Sequence, residues 1–169
     1  DVSLVSEGLR YGNCFIRYPY QRKITLVNES DKLRARYEIL AQIQHTKVFG
    51  TFTPAESKGI IEPGCEAEVD IDLVCSKLGS VSMPVYVRID GSEKPPLVPK
   101  IKATCIGPIV RPNKYKLDWG KTPCLHDKSR KLVLRNESPI PAKIECMIEE
   151  MRSKFRVDIV DHELGPNED

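Results

Sequence analysis

The chain has few of the residues that chemistry or membranes demand. It holds 3 histidines, 1 tryptophan and 7% aromatic residues in 169 positions. No cysteine stands in a CxxC pair, and His45, His126 and His162 lie beside no cysteine pair, so a zinc site is not expected. Nowhere do apolar residues run long enough to span a bilayer. There is no glycine-rich phosphate loop, because Gly79 and Gly91 sit alone in turn-like stretches. Charge of one sign is not in excess either. The 26 basic and 24 acidic residues give a net +2, unlike the strongly basic balance of a dedicated nucleic-acid binder. The opening DVSLVSEGLRYG shows no initiator Met, basic n-region or apolar h-region, and reads as an excerpt from something longer.

What is present is a core and a repeat. Hydrophobic residues make up 40% of the chain, enough for a packed interior and too much for global disorder. Cys14, Cys65, Cys75, Cys105, Cys124 and Cys146 have wide, irregular spacings. Cys75, Cys105 and Cys146 occupy positions that read as strand interior, where a thiol behaves as a small hydrophobe. With no secretory signal, reduced thiols in the cytoplasm are expected.

The repeat emerges when the sequence is displaced against itself by 108 positions. Leu9, Tyr11 and Gly12 then meet Leu117, Trp119 and Gly120, and Lys23, Ile24 and Leu26 meet Lys131, Leu132 and Leu134. Asn28, Glu29 and Ser30 meet Asn136, Glu137 and Ser138, and the interval from Gly to Asn is 16 residues in both copies. One deletion in the following turn aligns Ala35–Glu38 with Ala142–Glu145. A period this long implies domain-sized units. The reading is therefore a complete unit over residues 1–107 and the first half of a second over 108–169. Half a sandwich leaves an apolar sheet face uncovered, so the second part is not expected to fold by itself.

The repeating unit reads as all-β. In EAEVDIDLVC (66–75), Ala67, Val69, Ile71, Leu73 and Cys75 alternate with a mostly acidic face, the period-two mark of a strand. Val81, Met83, Val85, Val87 and Ile89 alternate likewise, with Pro84 marking an edge or a bulge. Ile101, Ala103 and Cys105 share one side, Ile24 and Leu26 another, and Ala35, Tyr37, Ile39 and Ala41 another. NESDK, EPG, KLGS and DGSEKPP punctuate these runs. Roughly seven strands in about 105 residues, without a strong helical stretch, predict an immunoglobulin-like sandwich. The recurrent Asn-Glu-Ser falls between two strands. Its Asn and Ser suit backbone capping of a tight turn, so Gly12, Asn28, Ser30, Gly120, Asn136 and Ser138 read as structural turn and repeat markers rather than sugar acceptors.

The ordered set of motifs resembles a known family. An opening Leu-x-aromatic-Gly (Leu9, Tyr11, Gly12) leads to a basic strand ending Leu-x-Asn-x-Ser (Leu26, Asn28, Ser30). IEPG at 61–64, an alternating strand and a closing IKATCIGP follow. This resembles the ASH domains (the name joins ASPM, SPD-2 and Hydin), relatives of major sperm protein and PapD-like sandwiches. The first unit matches along its length, the second only over its first half, and the tandem order is similar to the Hydin-type members of motile cilia. The resemblance implies a non-enzymatic scaffold segment in the cytoskeleton of the cilium axoneme. There it would help build a microtubule-attached projection of the central apparatus and support ciliary motility. Implied partners are other central-apparatus proteins, tubulin and neighbouring ASH domains of the same chain, with no nucleic acid, membrane or cofactor. Two alternatives stay open: a module of the major sperm protein kind binding acidic short peptides, and another ciliary or centrosomal ASH protein.

Competing chemistry is thin. His126 and Asp127 adjoin Cys124, but neighbours on a strand point to opposite faces and make a poor dyad. Glu68, Asp70 and Asp72 share a face that reads as solvated strand rather than as a calcium loop. Basic residues suggest more. Arg22, Lys23, Arg34 and Arg36 form a candidate surface for an acidic partner, and Lys23, Arg34 and Arg36 would be the recognition face in the peptide-binding alternative. Residues 111–135 hold eight basic and two acidic residues (+6), and 136–169 hold four basic and nine acidic (−5).

Overall fold

The computed structural model describes residues 1–5, 8–149 and 153–169. Glu150 and Arg152, counted in the charge pattern above, lie outside the described residues. The chain divides into two compact units, Asp1–Gly107 and Pro108–Asp169.

The first unit is an all-β sandwich. One layer runs β1 (Val2–Leu4), β3 (Pro19–Asn28), β7 (Glu66–Cys75), β5 (Gly50–Pro54), every neighbouring pair antiparallel. The other is built from β2 (Gly8–Phe15), β10 (Lys100–Ile106) and β8 (Gly79–Pro84), followed by β6 (Lys58–Ile61), β4 (Ala35–Ile39) and β9 (Val87–Ile89). β2 lies parallel to β10. The alternating runs do what their pattern demands: Ile24 and Leu26 of β3, Val69, Ile71 and Leu73 of β7 and Ile101 of β10 are all buried. Burying each such side chain is worth about 1.5–3 kcal/mol, so β7 is the main anchor of its layer.

Two irregularities have clear causes. Pro84 ends β8, which pairs with β10, and after Val85 and Tyr86 the chain resumes as β9 on β4. The proline, which has no N–H to give a ladder, thus stands where the strand changes partners. In β2 the register on β10 shifts between Lys102 and Ala103, skipping Tyr11. Gly12 takes φ +72°, and the extra residue lets Tyr11 and Cys14, three apart, both point inward.

The sequence reading differs at three places. Ala41 is exposed and lies past the end of β4, where Leu40 donates its N–H to Tyr86 O (2.8 Å) and the chain turns into a 3-10 helix, Gln44–Val48. Four strands without long alternating runs, β1, β2, β5 and β6, bring the described first unit to ten rather than about seven. Cys146 is the third case and belongs to the second unit.

In that unit β11 (Val110–Pro112) pairs with β12 (Leu134–Asn136), and β13 (Ala142–Glu145) with β14 (Asp161–Leu164), all antiparallel. Its buried residues are Asn136, Ser138, Ile140, Ala142 and Leu164. Cys146 keeps its place in the ladder, its N–H donating to Val160 O at 2.8 Å, yet it is exposed. Ile39, at its repeat position in the first unit, is buried under the opposite layer; among the described residues no such layer stands over Cys146.

Candidate functional site: a repeated asparagine clasp and the basic strands

The repeat markers sit at a hydrogen-bonded junction that occurs in both units. Asn28 closes β3 and is 1% exposed. Its Nδ2 donates to Leu33 O (2.7 Å), Ile61 O (3.1 Å) and Glu62 O (3.3 Å), while its Oδ1 accepts from Ser30 N–H (3.1 Å). Asn136 closes β12 and is fully buried. Its Nδ2 donates to Ile140 O (2.7 Å), Gly165 O (3.0 Å) and Leu164 O (3.4 Å), and its Oδ1 accepts from Ser138 N–H (3.1 Å) and from the Ser138 hydroxyl.

The backbone around each asparagine matches as well. Glu29 N–H reaches Asp1 O and Glu137 N–H reaches Ile109 O, both at 2.8 Å. Asn28 N–H donates to Cys65 O (3.0 Å) and Asn136 N–H to Glu168 O (2.8 Å). Gly64 N–H returns to Ser30 O (2.9 Å), as Asn167 N–H does to Ser138 O (3.2 Å). Gly64 and Asn167 both adopt left-handed φ, +66° and +57°, each one residue after a proline. Glycine and asparagine are the residues that tolerate this conformation.

Each asparagine therefore does more than hold its own turn. It ties the end of one strand to the chain entering the next strand and to the far end of a hairpin. A buried amide with both protons and its oxygen engaged also has no free nitrogen for a sugar, whatever the N-x-S spelling allows. The left-handed partner went unseen in the sequence, although EPG at 62–64 and GPN at 165–167 carried the signal. Gly12 and Gly120 both take positive φ, +72° and +61°, the latter with its N–H on Asp118 Oδ1 at 2.7 Å.

The four basic candidates are not brought onto one sheet: Arg22 and Lys23 belong to β3, Arg36 to β4 in the other layer, and Arg34 just precedes β4. Lys23 pairs with Glu68 at 2.8 Å, which raises its pKa, chiefly through that hydrogen bond. Arg34 lies 3.7 Å from Glu62. The Arg22 guanidinium stands over the Tyr11 ring at 5.8 Å and donates to Gln21 O and Arg10 O. Arg36 has no ion-pair partner among the described residues; nearby, Lys58 and Arg88 both pair with Glu38. The Lys58 contact leads in holding the Glu38 carboxyl below its usual range.

On the outer face of β7, Glu68 is taken by Lys23 and Asp72 accepts from Gln21 (2.9 Å). Asp70 is half-buried rather than solvated, opposite Lys23 in register. Among the described residues no three His, Cys, Asp or Glu side chains are grouped to hold a metal ion. His45 lies exposed in the 3-10 turn, and Cys124 and His126 are exposed. Beneath the surface, Tyr11 donates its hydroxyl to Ile71 O at 2.6 Å, joining the two layers, and burial pushes its pKa above the tyrosine range.

No protein-family model matches the chain. It is 31% identical over 171 aligned residues, 99% of its length, to the human hydrocephalus-inducing protein homolog. To the mouse hydrocephalus-inducing protein it is 30% identical over 156 residues, 92% of its length. It spans only 3% of the length of either relative. Among solved structures, an ASH / PapD-like domain of human CEP192 (PapD-like domain 7) superposes with a TM-score of 0.50 at 10% identity, covering 63% of this chain and 85% of that one.

Fold and junction together define an ASH-type, PapD-like member of the immunoglobulin-like sandwiches. By sequence the chain is a homologue of a short stretch of the hydrocephalus-inducing proteins (Hydin), at about the same identity in both mammals.

Proposed function

We propose that the chain is a non-enzymatic scaffold segment of a large, multi-domain ciliary protein. In this reading residues 1–107 are one ASH domain and 108–169 are the first half of another. Such an array would help build a microtubule-attached projection of the axonemal central apparatus and so support ciliary movement. The observation that carries the reading is the alignment to a hydrocephalus-inducing protein over 99% of the chain. The asparagine junction supports it, because the same hydrogen bonds recur in both units.

The test is location. The full-length protein, tagged in cells that carry motile cilia, is expected along the axoneme; exclusion from cilia would overturn the reading. Direct contact with tubulin is a separate question, decided by microtubule co-sedimentation of the wild-type chain and a charge reversal of Arg22, Lys23, Arg34 and Arg36. Tubulin surfaces are acidic, so reversal should weaken binding most at low salt. Because Lys23 and Arg34 already face carboxylates, reversal of Arg22 and Arg36 alone is expected to give most of the loss.

A further inference from the structure

The second unit presents an apolar face whose cover can be read from the first. Its side is marked by Leu117, Trp119, Leu132 and Leu134, which correspond to Leu9, Tyr11, Ile24 and Leu26. All four of the latter are buried in the first unit. There β7 lies beside β3, its Val69 opposite Ile24 and its Ala67 opposite Leu26, and Tyr11 bonds to Ile71 O of the same strand. In the second unit Leu132 is 42% exposed, and Trp119 packs against Phe155, itself exposed, at 5.2 Å between ring centroids.

The edge of β12 is equally telling. It pairs with β11 on one side. On the other, the first rung matching β3–β7 is already made, Asn136 N–H to Glu168 O. Charge repeats too. Lys131 takes the place of Lys23, the residue that pairs with Glu68 of β7, and among the described residues Lys131 has no ion-pair partner.

We infer that the open edge of β12 and the face bearing Trp119 are an acceptor for one extended strand of β7's chemistry. That strand has apolar side chains at alternate positions, acidic ones between them, and a glutamate opposite Lys131. It adds by antiparallel backbone hydrogen bonding, which gives affinity, while the alternation and the Lys131 pairing set its register. The inference rests on the repeat reading of residues 108–169 and not on the ciliary one, which the following test leaves untouched.

Trp119 is the single tryptophan and stands on the proposed acceptor face, so it reports directly. A synthetic peptide of residues 66–75, with Cys75→Ser to prevent oxidation, is titrated into the 169-residue chain while Trp119 emission is followed. The expected result is a saturable blue shift that a scrambled peptide of equal composition does not produce. Lys131→Glu is expected to weaken binding about two- to fivefold, as befits an exposed ion pair, and a Glu68→Lys peptide should restore it. Equal responses to both peptides, no response to either, or no rescue by the charge swap would overturn the inference. So would a Trp119 shift that follows chain concentration alone, which would make a second copy the occupant.

Discussion

Replacing Asn28 by alanine tests whether the clasp supports the first unit or merely decorates it. The change removes an amide that gives two protons to three carbonyls and takes one from Ser30 N–H. The carbonyl of Ile61 is then left in a buried setting and those of Leu33 and Glu62 in partly buried ones. A net hydrogen bond is worth roughly 1 kcal/mol, and a buried group left without a partner costs about 1–3 kcal/mol. Water can reach the partly buried groups, so a total near 2–4 kcal/mol is expected, a large fraction of the stability of a typical domain. Urea unfolding followed by far-UV circular dichroism should show the midpoint moving by about 1–2 M at an ordinary urea slope. Asn28→Asp sharpens the test, because it keeps the acceptor for Ser30 N–H and places a carboxylate against three carbonyl oxygens. Its carboxyl should titrate above the usual aspartate range in the folded state. The variant is then most stable below the unfolded-state pKa and loses stability as pH rises through the folded value. A loss below about 0.5 kcal/mol for Asn28→Ala, the range of an ordinary surface change, would refute the reasoning.

Other expectations are smaller in scope. Cys65, Cys124 and Cys146 are exposed, whereas Cys14, Cys75 and Cys105 are buried, and desolvation raises the pKa of all three, Cys75 to about 12. A thiol-reactive dye should therefore titrate three cysteines quickly and the rest only after unfolding, and a fast fourth would contradict the packing. Gly12→Ala meets no atom within 4 Å of the added Cβ, so it should cost only the left-handed strain, about 1 kcal/mol by denaturation. Glu38 has a lowered pKa, so its ion pairs stabilise the fold above the unfolded-state pKa and are lost as pH falls through the folded value. Glu38→Gln should flatten that acid limb of a stability-against-pH curve and leave its alkaline side unchanged.

Legibility followed periodicity. β7 was readable to the residue because EAEVDIDLVC alternates without interruption, and the β3 core positions because Ile24 and Leu26 do. β5 and β6 were invisible because GTFTP and KGII are too short to show a period. The doubled Asn-Glu-Ser was legible as a marker but not as a clasp, since its carbonyl partners at 61–62 and 164–165 lie far along the chain. The basic quartet failed to form one face for a related reason: Arg22 and Arg36 are near in sequence, but β3 and β4 enter different layers. Cys146 was misjudged because strand phase alone was used to assign burial, and burial also needs a second layer.

The comparison of the two copies separates what the fold requires from what it tolerates. Ile24 becomes Leu132 and Tyr11 becomes Trp119, exchanges that keep apolar bulk and no more. Asn28 stays asparagine as Asn136, whereas its left-handed neighbour passes from Gly64 to Asn167. The difference is physical. An apolar position needs volume, and several side chains supply it. A left-handed position needs a backbone that tolerates it, and two residue types do. The clasp needs two donors and one acceptor on one short, rigid side chain, directed at carbonyls and an N–H whose positions are already fixed. Among the twenty side chains only asparagine meets this, since glutamine adds a methylene and aspartate has no donor. If that account holds, Asn136→Gln should destabilise the second unit nearly as much as Asn136→Ala, with Trp119 emission as the reporter. A glutamine that restored wild-type stability would show that a generic amide suffices, and the argument from geometry would fall.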